Sequence, residues 1–143
     1  MVLYAKDIVE TDFLSLPPET TVLEGSKSMK DSRHGFAVVG KPDNPVGIVT
    51  EWDILAKVVA EGKDPAKTTL ADVMSKDLLA VDESEGLSTV SQLMTVRGVR
   101  RLLVKKKNGE VVGVITAKTM LARMNEYVDR VSSQISRLQA PFF

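Results

Sequence analysis

At 143 residues, 43% hydrophobic and 27% charged, the chain has the balance of one soluble globular domain. Lys+Arg and Asp+Glu number 19 each, so net charge is zero, which argues against a protein built around the basic footprint of bulk nucleic-acid binding. The absence of cysteine excludes disulfides, thiolate metal sites and cysteine nucleophiles. In chain order, Phe13-Leu14-Ser15-Leu16 predicts a short strand closed by Pro17-Pro18, and Val22, Ser26 and Met29 mark one face of a helix. Phe36-Ala37-Val38-Val39 and Val46-Gly47-Ile48-Val49 predict a hairpin around Lys41 to Pro45. Thr50 opens a helix that stops at Gly62, with Pro65 beyond it in the linker Glu61 to Pro65. The second half repeats the order. Leu78-Leu79-Ala80-Val81 ends at Asp82-Glu83-Ser84, and a helix carries Leu87, Val90, Leu93 and Met94 on one face. Arg101 to Lys105 turns at Asn108-Gly109 into Val111 to Ile115, and Thr116 opens the last helix.

The chain therefore repeats itself. Val46 to Leu55 returns as Val112 to Leu121, and Asp7-Ile8 through Met29 lies over Asp72-Val73 through Met94 at a constant offset of 65 residues. Units of about 60 residues are marginal alone, so the two are expected to share a core. The expected division is a first repeat over 1–66, a second over 67–127 and a helical extension over 128–143, together forming one module.

This pattern resembles the cystathionine-β-synthase (CBS) domain as a tandem pair. The matching residues are Asp7-Ile8-Val9 and Asp72-Val73-Met74, the run Gly98 to Val104, and the segment Gly47 to Asp53. The resemblance implies an α+β fold of two β-α-β-β-α repeats packed about a pseudo-twofold axis, followed here by an extended C-terminal helix. It also implies two clefts between the repeats, usually occupied by adenine nucleotides or related adenosyl ligands.

A carboxylate can accept both hydroxyls of a ribose, and phosphate needs cations or free backbone N–H groups. Thr50-x-x-Asp53 fits such a site, but it also reads as a capping box, with Thr at the N-cap and an acid three residues on. By the family's rule, one cleft combines Gly47, Ile48, Thr50 and Asp53 with Leu78, Leu79 and Ala80 around an adenine and Arg100 and Arg101 near phosphates. Alternation puts the two arginines on opposite faces, so at most one reaches the ligand directly. Their other reading is as exposed charges beside a strand. The opposite cleft would combine Thr116 and Thr119 with Thr11, Asp12, Phe13, Gly35 and Phe36. It is expected to be degenerate, because Thr119 stands where the first repeat has Asp53 and no arginine occupies the phosphate position. His34, the sole histidine, reads as a surface residue, and no metal site is expected. Trp52 is expected to pack on the adjacent helix or on a partner chain. Lys105-Lys106-Lys107 reads as a solvated turn.

Leu121, Met124, Val128, Val131, Ile135 and Leu138 follow at intervals of 3, 4, 3, 4 and 3, a heptad seam. It either folds back on its own module or pairs with another chain. The second is preferred, giving a homodimer through the CBS faces and the C-terminal helix, with Met1 to Tyr4 packing beside it. No nucleophile–base pair or Walker-type loop points to an enzyme, and no required cofactor is expected. The expected function is regulatory sensing of AMP, ADP, ATP or S-adenosylmethionine, with an effector protein that the sequence does not name. The alternatives are a ligand-free interaction scaffold and a nucleic-acid-binding protein using Arg100, Arg101 and Lys105 to Lys107. No apolar run reaches membrane length and the N-terminus lacks a signal-peptide pattern, so a cytoplasmic setting is expected.

Overall fold

The structure is a computed structural model that describes residues 3–139; of the N-terminal segment Met1 to Tyr4, Met1 and Val2 lie outside that range. A lead-in helix α1 (Ala5–Ile8) precedes β1 (Ser15–Leu16), α2 (Val22–Ser32), β2 (Phe36–Lys41), β3 (Asn44–Thr50) and α3 (Glu51–Ile54). α3 continues into a π-helical turn over Leu55–Val59. The second half repeats this with α4 (Leu70–Val73), β4 (Ala80–Asp82), α5 (Leu87–Arg97), β5 (Arg101–Lys105), β6 (Val111–Thr116) and α6 (Ala117–Gln139). The α+β reading of two β-α-β-β-α repeats with a long terminal helix is what the chain adopts.

Each half forms a three-stranded sheet, ordered β1-β2-β3 and β4-β5-β6. In both, the first pairing is parallel and the second antiparallel. The registers correspond: Phe36 faces Thr50 in the first sheet, and Arg101 faces Thr116 in the second. The antiparallel pairs are hairpins. The parallel ones need the crossover helices α2 and α5, whose buried Val22 and Met29, or Val90 and Met94, lie against the sheets. Thr21 caps α2 by accepting from the Glu24 N–H.

A middle layer joins the sheets. Phe36 and Val38 of the first pack with Leu103, Val111 and Val114 of the second, flanked by Phe13, Ile48, Leu78 and Ala80. The lead-ins bind the halves more tightly still, because they are exchanged. Ala5 and Ile8 of α1 are buried among Val81, Val90, Leu102, Val104, Ile115 and Met120 of the second repeat. Leu70 and Val73 of α4 are buried among Val22, Val39, Val49 and Val58 of the first. Burying an aliphatic side chain stabilises by about 1.5–3 kcal/mol, so each core draws part of its stability from the other repeat's sequence. The packed units thus differ from the sequence units 1–66 and 67–127. α4 is started by Thr69, whose backbone N–H donates to Asp72 at 2.9 Å and holds that carboxyl below the usual range.

The exchange needs a close crossing at each edge strand. Glu10 exchanges both backbone hydrogen bonds with Val114 of β6, at 2.9 and 3.0 Å, and Ser75 does the same with Ile48 of β3, at 2.9 and 3.0 Å. The residues just before these contacts on β3 and β6 are Gly47 and Gly113. A Cβ on Gly113 would collide with the Glu10 carbonyl and Val9, whereas one on Gly47 meets mainly the flexible Met74 side chain and stands 3.0 Å from the Ser75 carbonyl. Gly113→Ala is therefore expected to cost about 1–3 kcal/mol and Gly47→Ala less, as read by chemical denaturation of the two variants. Equal losses would mean that the crossing at Gly113 is no tighter than the one at Gly47.

Candidate functional site

The hairpin registers place the start of β2 beside Thr50 and the start of β5 beside Thr116. The Glu51 N–H donates to the Gly35 carbonyl at 2.9 Å, and the Ala117 N–H to the Arg100 carbonyl at 2.9 Å. Both helix starts thus sit beside the strand ends that carry Gly35-Phe36 and Arg100-Arg101.

At the first helix start, Thr50 and Asp53 form a complete capping box. The Asp53 Oδ2 accepts from the Thr50 backbone N–H at 2.9 Å and from its hydroxyl at 3.2 Å, and the Thr50 Oγ1 accepts from the Asp53 N–H at 3.3 Å. Asp53 Oδ1 pairs with Lys57 Nζ at 3.1 Å, and Lys57 also donates to the Val73 carbonyl at 2.8 Å. The carboxylate is 12% exposed. It already serves three donors, which leaves part of the Oδ1 acceptor capacity for a ligand.

The other residues expected around this crevice divide. Ile48, Leu78 and Ala80 meet in the layer between the sheets. Leu79, just before β4, packs into the second repeat's own core, while its neighbours Leu78 and Ala80 face the layer between the sheets. Gly47 lies under Met74 and Ser75. Arg101 reaches across the repeats: its Nη2 donates to Glu51 Oε1 at 2.9 Å, and its guanidinium lies 5.5 Å over the Phe36 ring. Arg100 is exposed. Arg100 and Arg101 both line one cavity with Thr116 to Thr119, against the expectation that alternation lets at most one reach a ligand, because Arg100 precedes β5 and is not part of the alternating strand. Of the pair, only Arg101 makes a described hydrogen bond to the first repeat.

In the opposite cleft the structure supplies the two groups whose absence was the ground for expecting degeneracy. A cavity of about 490 Å³ is walled by Glu10, Arg33, His34, Gly35 and Phe36 from the first repeat and by Arg100, Arg101 and Thr116 to Thr119 from the second. Three arginines line it where none was expected. The missing acid is also supplied, from elsewhere in the chain: the Thr119 hydroxyl donates to the Glu10 carboxylate. Because that proton is committed to Glu10, the Thr116 hydroxyl is the donor in its 2.8 Å contact with Thr119. Thr116 also accepts from the Thr119 N–H at 3.1 Å, so its role as a cap is realised. Of the other residues expected here, Phe13 belongs to the layer between the sheets and Asp12 lies 3.7 Å from His34 Nε2. His34 is 18% exposed and tilted against Phe36, so it is a wall residue of the cavity and not a free surface histidine.

Sequence reasoning missed Glu10, Arg33 and Glu51. One signal for Glu10 was available: the repeat alignment puts it opposite Ser75, so an acid gained there accompanies the acid lost at Thr119. Arg33 also carries a conformational mark. It caps the C-terminus of α2 at φ 59°, and Gly98 takes the matching position after α5 at φ 62°. A non-glycine residue is disfavoured in the left-handed region, and such strain is often stored where a side chain is needed.

Among the described residues no helix is long and apolar enough to cross a membrane, and no cluster of acids and histidine could hold a metal ion. Trp52 is 65% exposed, so most of its surface is not covered by its own chain. Lys106 and Lys107 are exposed beside the turn closed by Gly109.

Comparison with known proteins agrees with this architecture. The family model for the CBS domain matches residues 5–60 and again 70–126. The chain belongs to the CBS-domain family, as a tandem pair. The CBS domain-containing protein YhcV of Bacillus subtilis is 30% identical over 110 residues, covering 77% of each chain. An uncharacterized conserved protein from Pyrococcus horikoshii shares the fold at a TM-score of 0.79 and 25% identity, over 85% of this chain and 91% of that one. The CBS domain pair of protein MJ0100, solved with 5'-methylthioadenosine and S-adenosyl-L-methionine, matches at a TM-score of 0.78 and 21% identity, over 89% of this chain and 99% of its own.

Arg33→Gly is expected to keep or raise the melting temperature, since it relieves a left-handed residue at the cost of some chain entropy. It should also weaken capture of an anion in the cavity. Thermal denaturation with and without added AMP checks both parts; a clear loss of stability in the ligand-free variant would assign Arg33 a packing role instead.

Proposed function

We propose that the chain is a regulatory module that senses an adenine nucleotide or related adenosyl ligand between its two repeats. The observation that carries this is the cavity of about 490 Å³, walled by both repeats, in which Arg33, Arg100 and Arg101 share space with the Glu10–Thr119 pair. Guanidinium forks suit phosphate oxygens. A carboxylate suits sugar hydroxyls, and the Thr116 end of the long helix α6 favours an anion. The Thr50–Asp53 helix start is a second proposed position, because the Asp53 carboxylate keeps part of its acceptor capacity there. Gly47, Ile48, Leu78 and Ala80 remain proposed neighbours of a ligand at that start. The adenosyl compounds bound by the MJ0100 pair support the ligand class. AMP, ADP, ATP and S-adenosylmethionine are the candidates to test.

Titration calorimetry with these four ligands is expected to give saturable binding. Glu10→Ala and Asp53→Ala, made separately, assign it to a cleft. Loss of a charged acceptor should weaken binding about tenfold or more, on the order of 1.5–3 kcal/mol, for the cleft in use. Full affinity in both variants would overturn the site. No binding at all would favour a scaffold, and binding to DNA or RNA that falls steeply with salt would favour the nucleic-acid reading.

A second copy of the chain is the proposed partner of α6. Five of the six seam residues, Leu121, Met124, Val128, Ile135 and Leu138, are between 49% and 70% exposed along this helix and Val131 is half-buried, which supports pairing with another chain over folding back on its own module. Trp52, Leu55 and Val59 add exposed apolar surface on the segment that matches the start of α6. Such surface on two helices suits an interface. Val128→Asp with Ile135→Asp is expected to turn a dimer into a monomer by light scattering on a sizing column; an unchanged mass would remove the tail from the interface.

A further inference from the structure

Glu51 and Arg101 come from different repeats and are joined at 2.9 Å. Arg101 is the least exposed of the three cavity arginines, with its side chain 22% accessible, while Glu51 is 53% accessible. Gly35 makes the room for their contact: a Cβ there would run into the Glu51 carboxylate and stand 2.8 Å from Arg101 Nη2. The guanidinium best placed to hold an anion is therefore already occupied by an internal one. A phosphate entering the cleft must take over the same N–H donors. It brings up to two charges and three acceptor oxygens against a single carboxylate, so the exchange can favour it. A neutral nucleoside brings nothing to exchange and leaves the ion pair closed.

We propose that Glu51 is an internal competitor for Arg101, so that the module discriminates ligands by the negative charge they bring to that guanidinium. This rests on the reading that an adenosyl ligand enters the cleft. It adds how charge is converted into signal: a phosphorylated ligand opens a contact between the repeats that an unphosphorylated one leaves intact. A ligand shifts a conformational equilibrium only through such a difference between states.

The test is calorimetry with AMP and adenosine on the wild type, Glu51→Gln, Arg101→Gln and the double variant, at one low ionic strength. Glu51→Gln keeps the shape and removes the charge. It is expected to raise the AMP-to-adenosine affinity ratio roughly two- to fivefold, the range of an exposed ion pair, and to have no further effect once Arg101 is replaced. Glu51→Ala repeats the measurement without a residual hydrogen bond. If the wild type binds AMP and the ratio is unchanged in both Glu51 variants, the competitor role is overturned while the binding reading stands. An equal rise with and without Arg101 also overturns it, as a general effect of net charge. AMP binding that appears only after Glu51 is replaced supports both ideas. No saturable AMP binding by the wild type or either Glu51 variant sinks both.

Discussion

Each repeat is completed by the other's opening segment. Ile8 is buried in the second core and Leu70 in the first, and the chain can make both placements only by laying residues 9–10 across β6 and 74–75 across β3. Gly47 and Gly113 leave space for the crossings. The paired backbone bonds there satisfy edge positions that would otherwise stand open. Sheet packing through Phe36, Val38 and Leu103 adds a shared layer, but the exchange is what makes the halves one folding unit.

The clefts inherit their chemistry from that exchange. Glu10 sits at the crossing on β6, and its carboxylate reaches Thr119 because its backbone is pinned to Val114. Ser75, its counterpart, is pinned to Ile48 near Asp53. Each cleft thus has an acid near its capping threonine, by two routes: in one the acid lies within the helix start, and in the other it arrives with the opposite repeat's lead-in. Arg101 stands where the two sheets meet and is engaged by Glu51, so the guanidinium most suited to either cleft is shared between the repeats.

The strands, hairpins and helices were legible because their signals are local. Paired apolar runs around Asn108-Gly109, glycine stops at Gly62, and threonine caps at Thr50 and Thr116 depend on residues a few positions apart. The long helix α6 was legible for the same reason, since its heptad seam lies on one element. The site was only partly legible. The family's rule assigned Arg101 to the cleft of Thr50 and Asp53, whereas it lines the cavity of Thr116 and Thr119 and meets the first repeat through Glu51. Leu79 was misjudged because a run of apolar residues does not say where strand alternation begins. The supposed degeneracy of the Thr119 cleft rested on one position within one repeat, and the replacing acid lies 109 residues away.

The sequence by itself determined the repeat, the order of elements, the family and the capping chemistry at both helix starts, since these are set by periodicity and by neighbours a turn apart. Only the tertiary structure decided which lead-in completes which core, which carboxylate faces Thr119, and that Arg101 is held by Glu51. Those are contacts between residues distant in the chain, fixed by packing geometry and by the space a missing Cβ leaves, and no local pattern encodes them.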